Sequence, residues 1–148
     1  MGKQAIALTR DEGTRLAVLG TEVRFLCQAA ETDRTFSLME VVLPENAGPP
    51  PHDHPWDEAY YVIEGDVRFL VGEETRVFSK GDFIYAPGGV LHSFIGASPD
   101  PARVLVFDTP ATAEGFFRDV DREVRSEEDL GRIPEIALRY DLRFQPPA

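Results

Sequence analysis

Between residues 14 and 109 the chain runs as short stretches of β-branched and aromatic residues broken by Gly, Pro, Asp and Asn, with no helical period. This pattern predicts strands at 15–19, 23–28, 36–43, 58–63, 67–71, 76–78, 82–86, 92–95 and 103–108. The breaks carry turn chemistry, as in Glu64-Gly65, Gly72-Glu73-Glu74, Lys80-Gly81 and Pro87-Gly88-Gly89. Many short strands at such spacing predict an all-β sandwich or barrel, a jelly roll before other forms. After Thr109-Pro110 the period of two disappears. Residues 113–124 and 134–140 read as helices, with Thr112 and Pro134 as start signals. Phe116, Phe117, Val120 and Val124 then form one apolar stripe that packs on the barrel or on a second subunit, core packing being the simpler reading. The expected division is a β-domain over 1–110 and a helical C-terminal extension over 111–148.

Composition narrows the function classes. The 148 residues are about one domain, and 43% apolar residues with ten Phe are enough for one core. A formal charge of −11 repels phosphate backbones and anionic bilayers, so neither nucleic acid nor a membrane is expected as a partner. Cys27 is the sole cysteine, which rules out an internal disulfide and a cysteine zinc knuckle and fits a reducing cytoplasm. We expect it to be a buried structural thiol. No apolar run at the N-terminus suggests a signal peptide, Ile6 does not fit a myristoylation signal at Gly2, and no stretch approaches a membrane span.

The three histidines concentrate the chemistry. His52 and His54, at i and i+2 on extended chain, point to one face, and Glu58 keeps their parity while Asp57 does not. Pro49, Pro50, Pro51 and Pro55 stiffen the entry to this strand. In the second segment, strand 82–86, the Pro87-Gly88-Gly89 turn and a returning strand are expected to bring His92 inward on the adjacent strand pair. Three neutral imidazoles and one carboxylate make a sensible ligand set for one divalent transition metal ion, with Fe, Mn, Ni, Co, Cu and Zn all within its range. Tyr60 and Phe94 share the ligands' parity and, with Trp56, are candidates to line a substrate pocket, although each can equally fill the core.

The spacings His52-x-His54-xxx-Glu58-xxxxxx-Gly65 and Gly81-xxxxx-Pro87-x-Gly89-xx-His92 resemble the two motifs of the cupin superfamily. The resemblance implies a double-stranded β-helix, a jelly-roll cupin barrel, holding a metal by His52, His54, Glu58 and His92. Two positions depart from the motifs: Asn46 stands where a Gly is usual, and Gly96 where an Asn is usual. The tail around Gly115-Phe116-Phe117 is similar to that of small quercetin dioxygenase-like cupins. The activity this implies is a metal-dependent dioxygenase for a small aromatic or enolisable compound, with Glu58 as ligand and base. A metal-dependent isomerase, epimerase or lyase and a non-catalytic ligand- or metal-binding module are the alternatives. Phosphosugars are poor candidates, because Arg68, Arg76 and Lys80 are the only cations from Phe36 to Phe94. A homodimer is expected by the same resemblance, with residues 4–8 and the helical tail supplying contacts.

Overall fold

The computed structural model describes residues 3–145, so Gly2, Met1 and residues 146–148 lie outside it. The first strands, β1 (Arg15–Val18) and β2 (Thr21–Cys27), form a hairpin, and β3 (Ser37–Leu43) follows after a short 3-10 turn at Ala29–Glu31. The ligand-bearing region holds β4 (His52–Asp53), β5 (Asp57–Glu64), β6 (Val67–Val71), β7 (Glu74–Phe78), β8 (Phe83–Ala86) and β9 (His92–Gly96). Then come β10 (Ala102–Thr109), helices α1 (Ala113–Glu123) and α2 (Ile133–Leu138), and a last short strand β11 (Arg143–Phe144). One sheet has the order β1-β2-β3-β10-β5-β8 and the other β11-β4-β9-β6-β7. All named pairings are antiparallel, and the two sheets make the β-sandwich of a jelly roll.

Period-two patterning explains the layering. Ser37, Met39, Val41 and Leu43 of β3 are buried while the residues between them are half-buried, and Ala102, Val104, Val106 and Asp108 of β10 repeat the pattern. Facing them from the second sheet are Val67, Phe69 and Phe94. The expected strands all form. Only β4 and β11, two residues each, are additions, and both are too short for a sequence pattern to mark.

Two expectations need correction. The Pro87–Gly89 segment does not close a hairpin, because β8 lies in the first sheet and β9 in the second, so this link crosses the sandwich. His92 instead meets β4, directly opposite His52. Cys27 is half-buried, since the register between β2 and β3 shifts at Phe25–Cys27 and breaks the inward alternation there. Residues 4–8 are exposed and carry no strand.

The motif departures have a local explanation. Asn46 adopts φ +67°, a left-handed conformation that Asn tolerates nearly as Gly does. Gly96 is held flat against the chain before it: a Cβ there would lie 2.3 Å from the Pro44 carbonyl oxygen, and Asn46 N–H donates to Gly96 O at 2.8 Å. Gly48, at φ +141°, would place a Cβ 2.0 Å from Phe94 O, so the polyproline entry to β4 packs directly on the β9 backbone.

The tail closes one end of the barrel. Phe116 and Val120 of α1 are buried, with Phe117 and Val124 packed beside them, so the predicted stripe lies on the barrel. Each such buried side chain contributes about 2 kcal/mol by area. On the outer side, Asp119 and Glu123 of α1 pair with Arg139, which follows α2, and Tyr140 O–H donates to Asp119. The Leu142–Phe144 segment then returns to the barrel, where Phe144 pairs with His52 in register.

Candidate metal centre

The four expected ligands converge. His52 and His54 come from β4 and its end, Glu58 from β5 and His92 from β9, and all four are buried. Their ligand atoms lie within 4.8 Å of one another. Two ligands at about 2.1 Å from one ion stand at most about 4.2 Å apart, so a contraction of a few tenths of an ångström seats an ion.

The imidazoles are aimed by the backbone. Nδ1 of His52 donates to Pro50 O at 2.8 Å, Nδ1 of His54 to Trp56 O at 3.0 Å, and Nδ1 of His92 to Val90 O at 2.8 Å. A carbonyl only accepts, so each Nδ1 bears its proton and each neutral ring presents the Nε2 lone pair. Such carbonyl partners are the usual support of metal-ligating histidines. Nε2 of His54 and of His92 lie 2.8 and 3.2 Å from Glu58 Oε1. Tyr60 O–H donates to the same Oε1 at 2.7 Å, and among the described residues none donates to Oε2. This donor set fits a divalent first-row ion.

Charge follows burial and pairing. Burial and the neighbouring His92 lower the His52 pKa to about 4. Burial pushes Glu58 up, but the hydrogen bonds and charge of His54 and His92 outweigh it and hold the carboxyl below its usual range. Burial also lowers His92, yet the Glu58 hydrogen bond and charge leave it raised. Burial and Glu58 lift Tyr60 well above an ordinary phenol, so it keeps its proton and acts as a donor.

A pH dependence of the metal-free protein follows from these shifts. Between pH 6.5 and about 4 the unfolded chain protonates His52 while the folded chain does not, so stability falls as pH falls. His92, being raised, stabilises as pH falls toward 6.5, and its contribution is complete about one unit below, where both states are protonated. Glu58, being lowered, begins to subtract only as pH falls through its unfolded value of 4.5. Urea midpoints measured across this range should drop, and His52→Gln should flatten the decline; a flat wild-type profile contradicts the assignment.

The three candidate pocket residues separate. Trp56 and Phe94 line a narrow space of about 40 Å³ over His52, His54 and Glu58. Tyr60 does not line it: the ring packs in the core, 5.2 Å from Phe69 and from Phe94, and only its hydroxyl reaches Glu58. Trp56 stacks flat on His54 at 3.7 Å, and its buried Nε1–H has no partner among the described residues. Leaving a buried donor unpaired costs about 1–3 kcal/mol. Ala113, Phe116, Leu142 and Phe144 of the tail complete the lining, a role beyond the core packing expected of it.

A family model described as a cupin domain matches residues 39–108. The uncharacterised protein SCO3923 of Streptomyces coelicolor is 31% identical over 107 residues, which are 72% of this chain and 97% of that protein. Among solved structures, the polyketide cyclase RemF from Streptomyces resistomycificus superposes with a TM-score of 0.64 at 24% identity, over 72% of this chain and 80% of its own. An RmlC-like cupin from Shewanella frigidimarina gives a TM-score of 0.66 at 17% identity, over 77% and 98%. At these identities the two structures establish likeness of fold.

Proposed function

The chain belongs to the cupin superfamily, and on that premise we propose that it is a metal-dependent enzyme acting on a small, uncharged aromatic or enolisable compound, with dioxygenation as its reaction. The observation that carries this reading is the convergence of His52, His54, Glu58 and His92 in a buried, backbone-oriented set beside a pocket. His52, His54, Glu58 and His92 would hold a divalent ion there, and that ion would supply Lewis acidity toward a substrate oxygen and O₂.

The protein's own groups divide the remaining work. Tyr60 O–H donates to Glu58 Oε1, so Oε2, to which none of the described residues donates, is the atom left to take a proton from an entering enol or phenol. Tyr60 keeps that carboxylate turned and adds no base of its own. Phe94 and Phe116 exclude water from the pocket. Among the described residues no helix is long and apolar enough to cross a membrane, which agrees with a substrate met in water.

Elemental analysis of protein purified without added metal, followed by O₂ uptake with the native ion on flavonols and β-diketones, tests the reading. We expect close to one ion per chain and O₂ consumption. A metal-free product defeats the metal reading. Turnover without O₂ uptake replaces dioxygenation by isomerisation or lyase chemistry, and stoichiometric metal with no turnover across the panel favours a binding module.

A further inference from the structure

We propose that the pocket over the metal ligands and the larger apolar cavity beside it form one binding site, for a neutral molecule with a one- or two-ring apolar body and an acceptor oxygen at one end that takes the Trp56 indole N–H. The proposal rests on reading the buried centre as a substrate site and names the class of molecule it admits.

Size divides the molecule into head and body. The space over the ligands is about 40 Å³, where one water needs about 10–15 Å³, so only a small head group of a few heavy atoms fits. The adjoining cavity is about 280 Å³, whereas an apolar cavity of about 150 Å³ suffices for a benzene. The two spaces share Pro49, Phe94, Phe116, Phe117 and Phe144 as walls, so they adjoin, and the site we propose runs from one into the other.

Chemistry sets the rest. Among the described residues no charged side chain lines the larger cavity, and the one side-chain hydroxyl there, on Thr21, already donates to Val18 O at 2.6 Å. A charged body would lose its hydration with nothing in return, which excludes phosphosugars and nucleotides. The smaller space differs, because Trp56, one of its lining residues, holds a buried donor that has no partner among the described residues. An indole N–H cannot accept, so its complement is an acceptor atom.

Equilibrium dialysis of 2-naphthol and naphthalene against the full chain, with and without Zn²⁺, tests this. The two probes share a body and differ in the oxygen. Trp56→Phe should weaken 2-naphthol about tenfold, the size of one hydrogen bond in a dry site, and leave naphthalene within about twofold. Ile133→Phe, which narrows the cavity from the α2 side, should weaken both at least about tenfold with metal content and melting temperature unchanged. In the ¹⁵N-labelled wild type the sole tryptophan gives one indole cross-peak, which 2-naphthol should move further downfield than naphthalene does. Equal losses of both probes in Trp56→Phe, or undiminished binding in Ile133→Phe, overturn the proposal. Stoichiometric metal with no binding of either probe also overturns it while sparing the metal reading. Probe discrimination in a protein that takes up no metal upholds this site and defeats the enzyme proposal.

Discussion

Replacing His92 by Ala is expected to reduce bound metal from close to one ion per chain to below about a tenth, because losing a ligand costs more affinity than the roughly 10–100-fold that removing an outer-shell partner costs. His92 is the only ligand contributed by β9, and it stands directly opposite His52, so its loss opens one whole side of the centre. No fourth histidine exists to replace it. The barrel should survive, because β9 keeps its five-residue pairing with β6 and the core residues around Phe69 and Phe94 are untouched. Glu58 keeps His54 and Tyr60 as partners, so it is not stranded in the interior. Metal analysis, circular dichroism and a parallel His52→Ala variant check this. Stoichiometric metal in both variants would remove the ligand assignment altogether.

The second large effect is on stability. Asp108→Ala should destabilise the metal-free protein by about 3 kcal/mol, combining a lost helix cap with buried donors left unpaired. Asp108 ends the inward row of β10, fully buried, and Oδ2 accepts the N–H groups of Thr112 and Ala113, each at 2.8 Å, at the start of α1. Oδ1 takes the hydroxyl of Ser37 on the neighbouring strand. One carboxylate thus joins β3, β10 and the helix that covers the metal pocket. Burial raises its pKa against the lowering by these three donors, and nearby Glu58 raises it further, so part of the gain is offset at neutral pH. Asp108→Asn, which keeps one acceptor oxygen, should fall between wild type and Ala. For a chain of this size about 3 kcal/mol corresponds to a fall in melting temperature of roughly 6–12 °C. A change in Asp108→Ala of less than about 1 kcal/mol would show that water replaces the cap and that the carboxylate does not tie the helix to the barrel.

Legibility in the sequence followed the range of the interaction. The alternation in 36–43 and 103–108 is a local property of extended chain, so β3 and β10 could be located from it. Parity carried the ligand choice in the same way: His52, His54 and Glu58 are inward and Asp57 is not, because Asp57 turns to accept the N–H of Gly88. Tyr60 shows where parity alone runs out. It points inward as expected, but inward there means the core beneath Glu58 rather than the pocket above it.

By itself the sequence determined the strand set, the helical tail and the four candidate ligands, since period two, turn residues and the scarcity of histidine are written within a few positions of each other. Tertiary structure alone decided that β8 and β9 part to opposite sheets, that β4 lies against β9, and that Leu142 and Phe144 return to wall the metal pocket. It also decided that the Trp56 N–H has no partner among the described residues and that a cavity of about 280 Å³ opens beside the pocket Trp56 lines. These features depend on register and packing between segments up to ninety residues apart, as His52 and Phe144 are, and no local pattern encodes which distant strand will supply the neighbour.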